Sequence, residues 1–418
     1  MKHLKLSIFL FYFLTTVTQA QGLVGDDYKH EISSISKSET QNLLATLSSL
    51  VNIESGSHDA EGLILIRKEI GKKLDDLGIQ YEILTNDRFP DNKMVHVRIK
   101  GRGKTKIALI AHMDTVYQKG DLAKQMFRID EGRAYGLGIS DDKAGVAVIL
   151  HVLKIIKELN VDSFGELAVL INSDEEIGSN ASKEKIISLG EESDLVISFE
   201  GSSVKSDYVR LSTSSIASAD ITVHGRASHA GSSPENGRNA LYELSHQILK
   251  TRDLNKIAKG VKFNWTLSNA GTVGNMIPFL ATAHADIRAD NSKDFDLVED
   301  QLRKELSEHL IADTTIDLKF IRSRPSLMPT EKSLKVAQMA KSIANEIDWN
   351  LSILTVPTGG GTDAAYAQVK SKGAVIESFG LQGFGGHSKE SEYVLINSIP
   401  ARLYTTVRLI DEFSRSTD

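Results

Sequence analysis

The sequence predicts an α/β protein with a mostly parallel central sheet, interrupted by a smaller α+β sandwich. Three patterns carry that prediction. From about Glu39, short apolar runs alternate with helical stretches, as in a sheet covered by helices on both faces. Between residues 213 and 323 the strand-like segment Ser218–His224 alternates apolar with polar residues, the mark of a strand with one wet face. After Arg324-Pro325 the first pattern returns.

In the first block, Thr40 to Val51 and Gly62 to Leu77 have helical period, and Val95–Ile99 and Lys106–Ala111 read as strands. Lys143 to Leu159 is apolar on most faces, which predicts a largely buried helix. Glu166–Asn172 and Leu195–Phe199 are short hydrophobic runs of the kind found inside a two-sided sheet. The serine-rich stretch Ser33, Ser34, Ser36, Ser38 is expected to be a loose mature N-terminus. In the middle block, strand Ser218–His224 is followed by helix Gly237–Lys250, strand Ala281–Arg288, helix Phe295–Leu310 and strand Thr315–Ile321. That order suits a small open-faced, ferredoxin-like sandwich. A helix over 333–346, a strand at Ala374–Ser378 and a helix over 399–413 complete the chain. The economical division is a leader at 1–20, an α/β domain made of 21–212 and 324–418, and an inserted domain at 213–323. The cleft between domains is the expected ligand site.

The 418 residues are 41% hydrophobic, enough for two cores. Lys2 and Lys5 precede an apolar run from Leu6 to Leu14, and Thr18-Gln19-Ala20 resembles a small-residue cleavage site. Residues 1–20 therefore read as a secretory signal peptide, and the mature protein is expected to be exported, periplasmic or secreted, without stable membrane association. The remainder carries 47 basic and 55 acidic residues, net −8, which argues against nucleic acid or anionic membrane as partner. There is no cysteine, so thiolate metal sites and cysteine nucleophiles are excluded.

The chemistry concentrates where strands stop. Asp174-Glu175-Glu176 follows the strand Glu166–Asn172, with no Lys or Arg within six residues on either side. Adjacent acids repel and resist desolvation, so a bound cation is their natural compensator. His112 ends another strand, where ligands of open α/β sheets bind, and Asp114 is placed to fix its tautomer. Asp141, among glycines, could bridge two cations, whereas Asp142 suits a helix cap. Glu200 follows the strand Leu195–Phe199, and His387 stands in the glycine-rich loop Gly380–Ser388. Histidine and carboxylate without sulfur suit Zn²⁺, with Co²⁺ or Mn²⁺ as possible substitutes.

His112-Met113-Asp114-Thr115-Val116, Gly138-Ile139-Ser140-Asp141-Asp142-Lys143, Asp174-Glu175-Glu176, Ser198-Phe199-Glu200 and His387 together resemble the M20 family of co-catalytic zinc aminoacylases and peptidases. His224–Gly231, Phe263–Thr266, Gly359–Tyr366 and Val375–Ser378 make the likeness strongest to glutamate carboxypeptidases of the carboxypeptidase G type. The resemblance spans essentially the whole mature chain. It implies a zinc-exopeptidase-like catalytic domain, a lid or dimerisation domain, a homodimer and two zinc ions per subunit. Asp141 would bridge the metals, with His112 and Glu200 completing one site and Glu176 and His387 the other. Glu175 would be the general base acting on a water shared by the metals, and a cis peptide would follow Asp141. His229 would reach the site from the partner subunit and serve the developing oxyanion, while His224 reads as structural. Arg324, Arg288, Asn275 and Gly360 would help bind the carboxylate end of a small-molecule or peptide substrate.

The implied reaction releases a C-terminal amino acid, preferably glutamate, from N-acyl or N-aminoacyl conjugates. One departure bears on that preference. Members of this subgroup carry a Lys where this chain has Tyr208, and Ser212 and Ser215 replace glycines in the following turn. Loss of that cation argues less strongly for a free side-chain carboxylate in the substrate. An aminoacylase or dipeptidase with another preference stays open, as does a binding protein that captures acidic metabolites without hydrolysis.

Overall fold

The computed structural model describes residues 25–417; the leader expected over 1–20 lies outside them. A six-stranded sheet runs in the order Tyr81–Leu84, Met94–Lys100, Glu166–Asn172, Lys106–His112, Leu195–Ser198, Ala374–Ile376. The last four are mutually parallel, and the first two form an antiparallel edge. Side chains alternate across such a sheet, and the sequence supplies apolar residues to both faces. Ile107, Leu109, Leu167, Val169, Leu195 and Ile197 pack into the main core with the helices Thr40–Val51 and Ala144–Glu158. The intervening Ala108, Ile110, Ala168, Leu170 and Val196 face a second core with Ile186, Leu189 and Ala364–Ala367. Unbroken hydrophobicity, rather than alternation, is therefore what this sheet requires.

The serine-rich segment is not loose. Asp26–Ser38 is a helix whose Ile32 and Ser36 are buried, and it packs against the closing helix Ser398–Thr417. Tyr28, Ile32 and Ile35 recur at helical spacing toward the core, which offsets the poor helix propensity of serine.

A separate antiparallel sheet runs in the order Lys262–Ala270, Leu280–Ala289, Ser215–His224, Thr315–Arg324. Alternate residues Ala217, Ala219, Ile221 and Val223 form its core with Leu244 of helix Ala240–Thr251 and Phe295, Val298 and Leu302 of helix Asp294–Leu306. The sequence pattern does not announce Lys262–Ala270 as a strand: at the sheet edge most of its side chains are exposed. A small five-stranded sheet, Arg128–Asp130, Arg133–Tyr135, Tyr393–Leu395, Gln382–Phe384 and Ser202–Ser203, carries the loop that holds His387. Among the described residues, no helix is long and apolar enough to cross a membrane.

Candidate active site

Three loops at the carboxyl ends of parallel strands converge. His112 is the last residue of Lys106–His112, a short turn after Glu166–Asn172 holds Glu175 and Glu176, and Glu200 follows Leu195–Ser198. Asp141 comes from the turn before helix Ala144–Glu158, and the Asp141–Asp142 peptide is cis. That turn must lie close to the strand end: a Cβ at Gly145 would meet the Phe199 carbonyl oxygen at 2.4 Å. Asp142 caps the helix, its Oδ1 accepting from the Gly145 N–H at 3.2 Å. His387 is the exception to the strand-end rule; it arrives from the hairpin between Gln382–Phe384 and Tyr393–Leu395.

The carboxylate of Asp141 is shared between two clusters. Its Oδ1 lies 3.1 Å from His112 Nε2, which is also 3.5 Å from Glu200 Oε1. Its Oδ2 lies 3.2 Å from His387 Nε2, which is 3.1 Å from Glu176 Oε2. Within each set, one ligand atom per residue lies within 4.8 Å of the others. Tetrahedral zinc with bonds of about 2.0–2.2 Å has ligand-to-ligand edges of about 3.3–3.6 Å, close to the histidine-to-acid distances here. Glu176 Oε1 is buried with no hydrogen-bond partner among the described residues, as suits a carboxylate that serves a cation.

Electrostatics point the same way. Hydrogen bonds to Asp141 and Glu176 push His387 up to about 10. Burial opposes the charged form of His112, yet the charge of Glu200 and hydrogen bonds to the surrounding acids hold it well above the ordinary histidine range. Burial, then the charge of Asp141, pushes Glu200 up to about 7. The cluster demands positive charge, and metal ions supply it without protonating the imidazoles.

Glu175 stands apart from both ligand sets. Burial holds its carboxyl well above the ordinary range, opposed chiefly by Arg324, whose Nη1 lies 2.7 Å from Glu175 Oε1. The local sequence offers no cation to this acid triplet; the fold brings one from the end of strand Thr315–Arg324. Asp114 supports the site from behind. It lies 3.3 Å from His112 Nδ1, accepts from the Glu175 and Glu176 N–H groups at 3.2 Å, and accepts from the Ser57 hydroxyl at 2.7 Å. Asp174 is structural, accepting from the Ser182 hydroxyl at 2.7 Å and from the Ala181 N–H.

A cavity of about 600 Å³ opens on these residues and is walled by Arg210, Arg288, Arg324 and Gly360. A second, of about 540 Å³, meets it at Glu176 and Ile177 and is lined by Ser57, His58 and Val116–Lys119. His229 and Asn275 do not line either cavity. They lie together in the antiparallel unit, where the Ala230 N–H donates to the Asn275 carbonyl at 2.9 Å. His229 Nδ1 accepts from the N–H groups of Gly231 and Ser232, both at 3.1 Å, and the side chain faces solvent. His224 pairs with Asp317 at 2.9 Å, also away from the cluster.

The sequence profile of peptidase family M20/M25/M40 matches residues 108–412. The chain belongs to that family. It is 42% identical over 372 residues to carboxypeptidase G2 of Pseudomonas sp. (strain RS-16), covering 89% of each chain. Its fold is shared with a tripeptidase of Staphylococcus aureus (TM-score 0.75, 20% identity, 90% of this chain and 99% of that one). It is also shared with an M20 metallo-carboxypeptidase of Sulfolobus solfataricus (TM-score 0.73, 15% identity, 89% and 99%).

Other residues of this M20 site escape sequence reasoning. Glu392 is fully buried and accepts from the N–H groups of Gly138 and Ser140 at 2.8 Å, of Asp141 at 3.2 Å, and from the Tyr117 hydroxyl at 2.6 Å. It fixes the turn that presents Asp141. Asp363 accepts from Arg324 Nη1 at 3.0 Å and from Asn172 at 2.7 Å. The signal for Asp363 was a charged residue inside the glycine-rich stretch Gly359–Tyr366; Glu392 offered none.

Proposed function

We propose that this M20 metallocarboxypeptidase holds two zinc ions per subunit and hydrolyses the amide bond ahead of a C-terminal amino acid, glutamate by preference, in N-acyl or N-aminoacyl conjugates. The observation that carries the reading is the division of the Asp141 oxygens between two ligand sets, with Glu175 beside them and bound to neither. The name and the 42% identity of the Pseudomonas relative support the carboxypeptidase class.

His112 and Glu200 would hold one zinc and Glu176 and His387 the other, with Asp141 common to both. Bound there, the metal ions would polarise the scissile carbonyl and acidify water. Glu175 takes a proton from the attacking water and returns it to the leaving nitrogen. Arg324 keeps that carboxylate oriented, and Asp114 fixes the His112 ring. The arginine-walled cavity receives the C-terminal residue, where Arg288 and the Gly360 backbone contribute to holding its carboxylate; the adjoining cavity receives the acyl part.

His229 completes the site from a second copy in a homodimer, donating to the carbonyl oxygen as charge develops on it, with Asn275 nearby. Its Nδ1 already accepts two backbone N–H groups, so the ring proton sits on Nε2, free to donate. Exposed Leu241, Tyr242 and Leu249 on one face of helix Ala240–Thr251 and the free edge of Lys262–Ala270 support pairing through this unit. Export follows from the leader expected at 1–20.

The deciding experiment incubates the purified protein with zinc and a panel of N-acyl amino acids, with metal analysis on the same preparation. Release of glutamate faster than of other residues is expected. Hydrolysis confined to other acyl amino acids would move the enzyme to an aminoacylase or dipeptidase role, and stoichiometric binding without product to a binding protein.

A further inference from the structure

The substrate cavity carries a cation that the hydrolytic reading has not used, on the short strand that begins at Tyr208. Tyr208–Arg210 is a short strand, so residues 208 and 210 project to the same face. Arg210 lines the same cavity as Glu175, Glu200 and Gly360.

Three arginines wall this cavity, and their commitments differ. Arg324 is paired with Glu175 at 2.7 Å and with Asp363 at 3.0 Å. Arg288 grips Asp286 with both Nε and Nη2, at 2.9 and 2.8 Å. Arg210 meets only neutral oxygens: Nη1 donates to the Thr358 hydroxyl at 2.9 Å and Nη2 to the Tyr208 hydroxyl at 2.8 Å. Its Nε is buried and has no hydrogen-bond partner among the described residues. Arginine has five N–H donors in a planar fork, and these two contacts account for two of them, on a side chain that lines the cavity. The acid nearest in effect, Glu377, is fully buried and turned to the Thr362 hydroxyl at 2.8 Å and the Ser378 N–H at 2.6 Å. Hydroxyl contacts orient a guanidinium without neutralising it. A half-buried guanidinium on a cavity wall, held by hydroxyls and with no acid among the described residues bound to it, is suited to an arriving anion.

We infer that Arg210 is the residue that selects an acidic side chain on the amino acid being released, with the Tyr208 hydroxyl as its positioning contact. The inference rests on the hydrolytic reading above and deepens it. A C-terminal glutamate brings two carboxylates; Arg288 and Gly360 stand for one, and Arg210 supplies a separate cation for the other. A site built to hydrogen-bond a charged group discriminates strongly against the neutral isostere, because its own donors are then left unpaired.

The test compares kcat/KM for matched N-acyl-glutamate and N-acyl-glutamine conjugates in the wild-type enzyme and in Arg210→Met, Arg210→Lys and Tyr208→Phe. Wild type should favour glutamate, and Arg210→Met should shrink the glutamate-to-glutamine ratio at least about tenfold, through KM rather than kcat. Arg210→Lys should restore part of the ratio, and Tyr208→Phe should lower it less than Arg210→Met does. A ratio unmoved by Arg210→Met, or both substrates falling together, would overturn the assignment. Titration calorimetry of free L-glutamate and L-glutamine onto the zinc-loaded protein reads the same preference without turnover. Glutamate binding lost in Arg210→Met, in a protein that hydrolyses no acyl amino acid, would sustain Arg210 and refute hydrolysis. Turnover of acyl-glutamates with a ratio indifferent to Arg210→Met would refute Arg210 alone.

Discussion

Arg324 holds Glu175 twice: Nη1 lies 2.7 Å from the carboxylate, and Nη2 donates to the backbone carbonyl of the same residue at 2.8 Å. Both side chains are buried, at 3% and 10% exposure. A carboxylate that is fixed, desolvated and outside the ligand sets has the attributes of a general base rather than of a ligand. Most of the Arg324 donors are spent on Glu175, Asp363 and Ser179.

Glu175→Gln keeps the shape and removes the proton acceptor. Turnover should fall by about 10²–10⁴-fold, while metal content by atomic emission stays at the wild-type level. Full turnover in this variant would remove Glu175 from the base role. Arg324→Met should act on stability as well, since it strands Glu175 and Asp363 as unpaired buried acids. A loss of about 3–5 kcal/mol in urea denaturation is expected.

Asp141 is the one residue common to both ligand sets, which separates its variants from those of the terminal ligands. After dialysis at a fixed free zinc concentration, Asp141→Ala should bind neither ion tightly, whereas His387→Ala should keep the ion held by His112 and Glu200. Metal-to-protein ratios measure the difference. Equal loss in both variants would mean that the two sets do not share the Asp141 carboxylate.

The candidate ligands are legible because each rule that exposes them is local. His112, Glu176 and Glu200 follow short apolar runs, and a strand buried on both faces must release its chain at the edge where ligands collect. The supports were not legible, since they depend on pairs formed only in three dimensions. Arg324 is 149 residues from Glu175, and Glu392 is 251 from Asp141, so no window of sequence holds both partners. Arg210 was hidden differently. Its place on the cavity wall depends on how the short strand Tyr208–Arg210 sits against distant segments, which no local pattern shows. The helix Asp26–Ser38 escapes a reading by composition because its serines mask the helical spacing of Tyr28, Ile32 and Ile35.

The trans role of His229 has a direct test. His229→Ala and Glu175→Gln should each be nearly inactive alone. Unfolded together and refolded as a mixture, they should recover about a quarter of wild-type activity: half the dimers are mixed, and one of their two sites holds both intact residues. No recovery from a mixture that does contain mixed dimers would place His229 within its own subunit or outside catalysis.

A last expectation concerns stability rather than activity. His151 is buried on helix Ala144–Glu158, with Nδ1 2.7 Å from Glu39 Oε2 and Nε2 3.0 Å from the Thr46 hydroxyl. A neutral imidazole satisfies both contacts by donating to Glu39 and accepting from Thr46. Burial holds its pKa below the ordinary 6.5, outweighing the attraction of Glu39. A histidine depressed in the folded state binds fewer protons there than when unfolded. Its stabilising effect is complete above pH 6.5 and declines as the pH falls from that value toward the folded pKa. The wild-type curve alone does not isolate this group. Asp174 and Glu392, pushed up by burial to about 6 and about 7, titrate nearby with the opposite sign. The difference between wild type and His151→Gln removes them. The destabilisation caused by His151→Gln should be largest near pH 7.5 and shrink below pH 6.5, by up to about 1.4 kcal/mol per pH unit. Urea unfolding at pH 7.5 and pH 5.5 measures it, and an equal penalty at both would show that His151 titrates alike in the folded and unfolded chain.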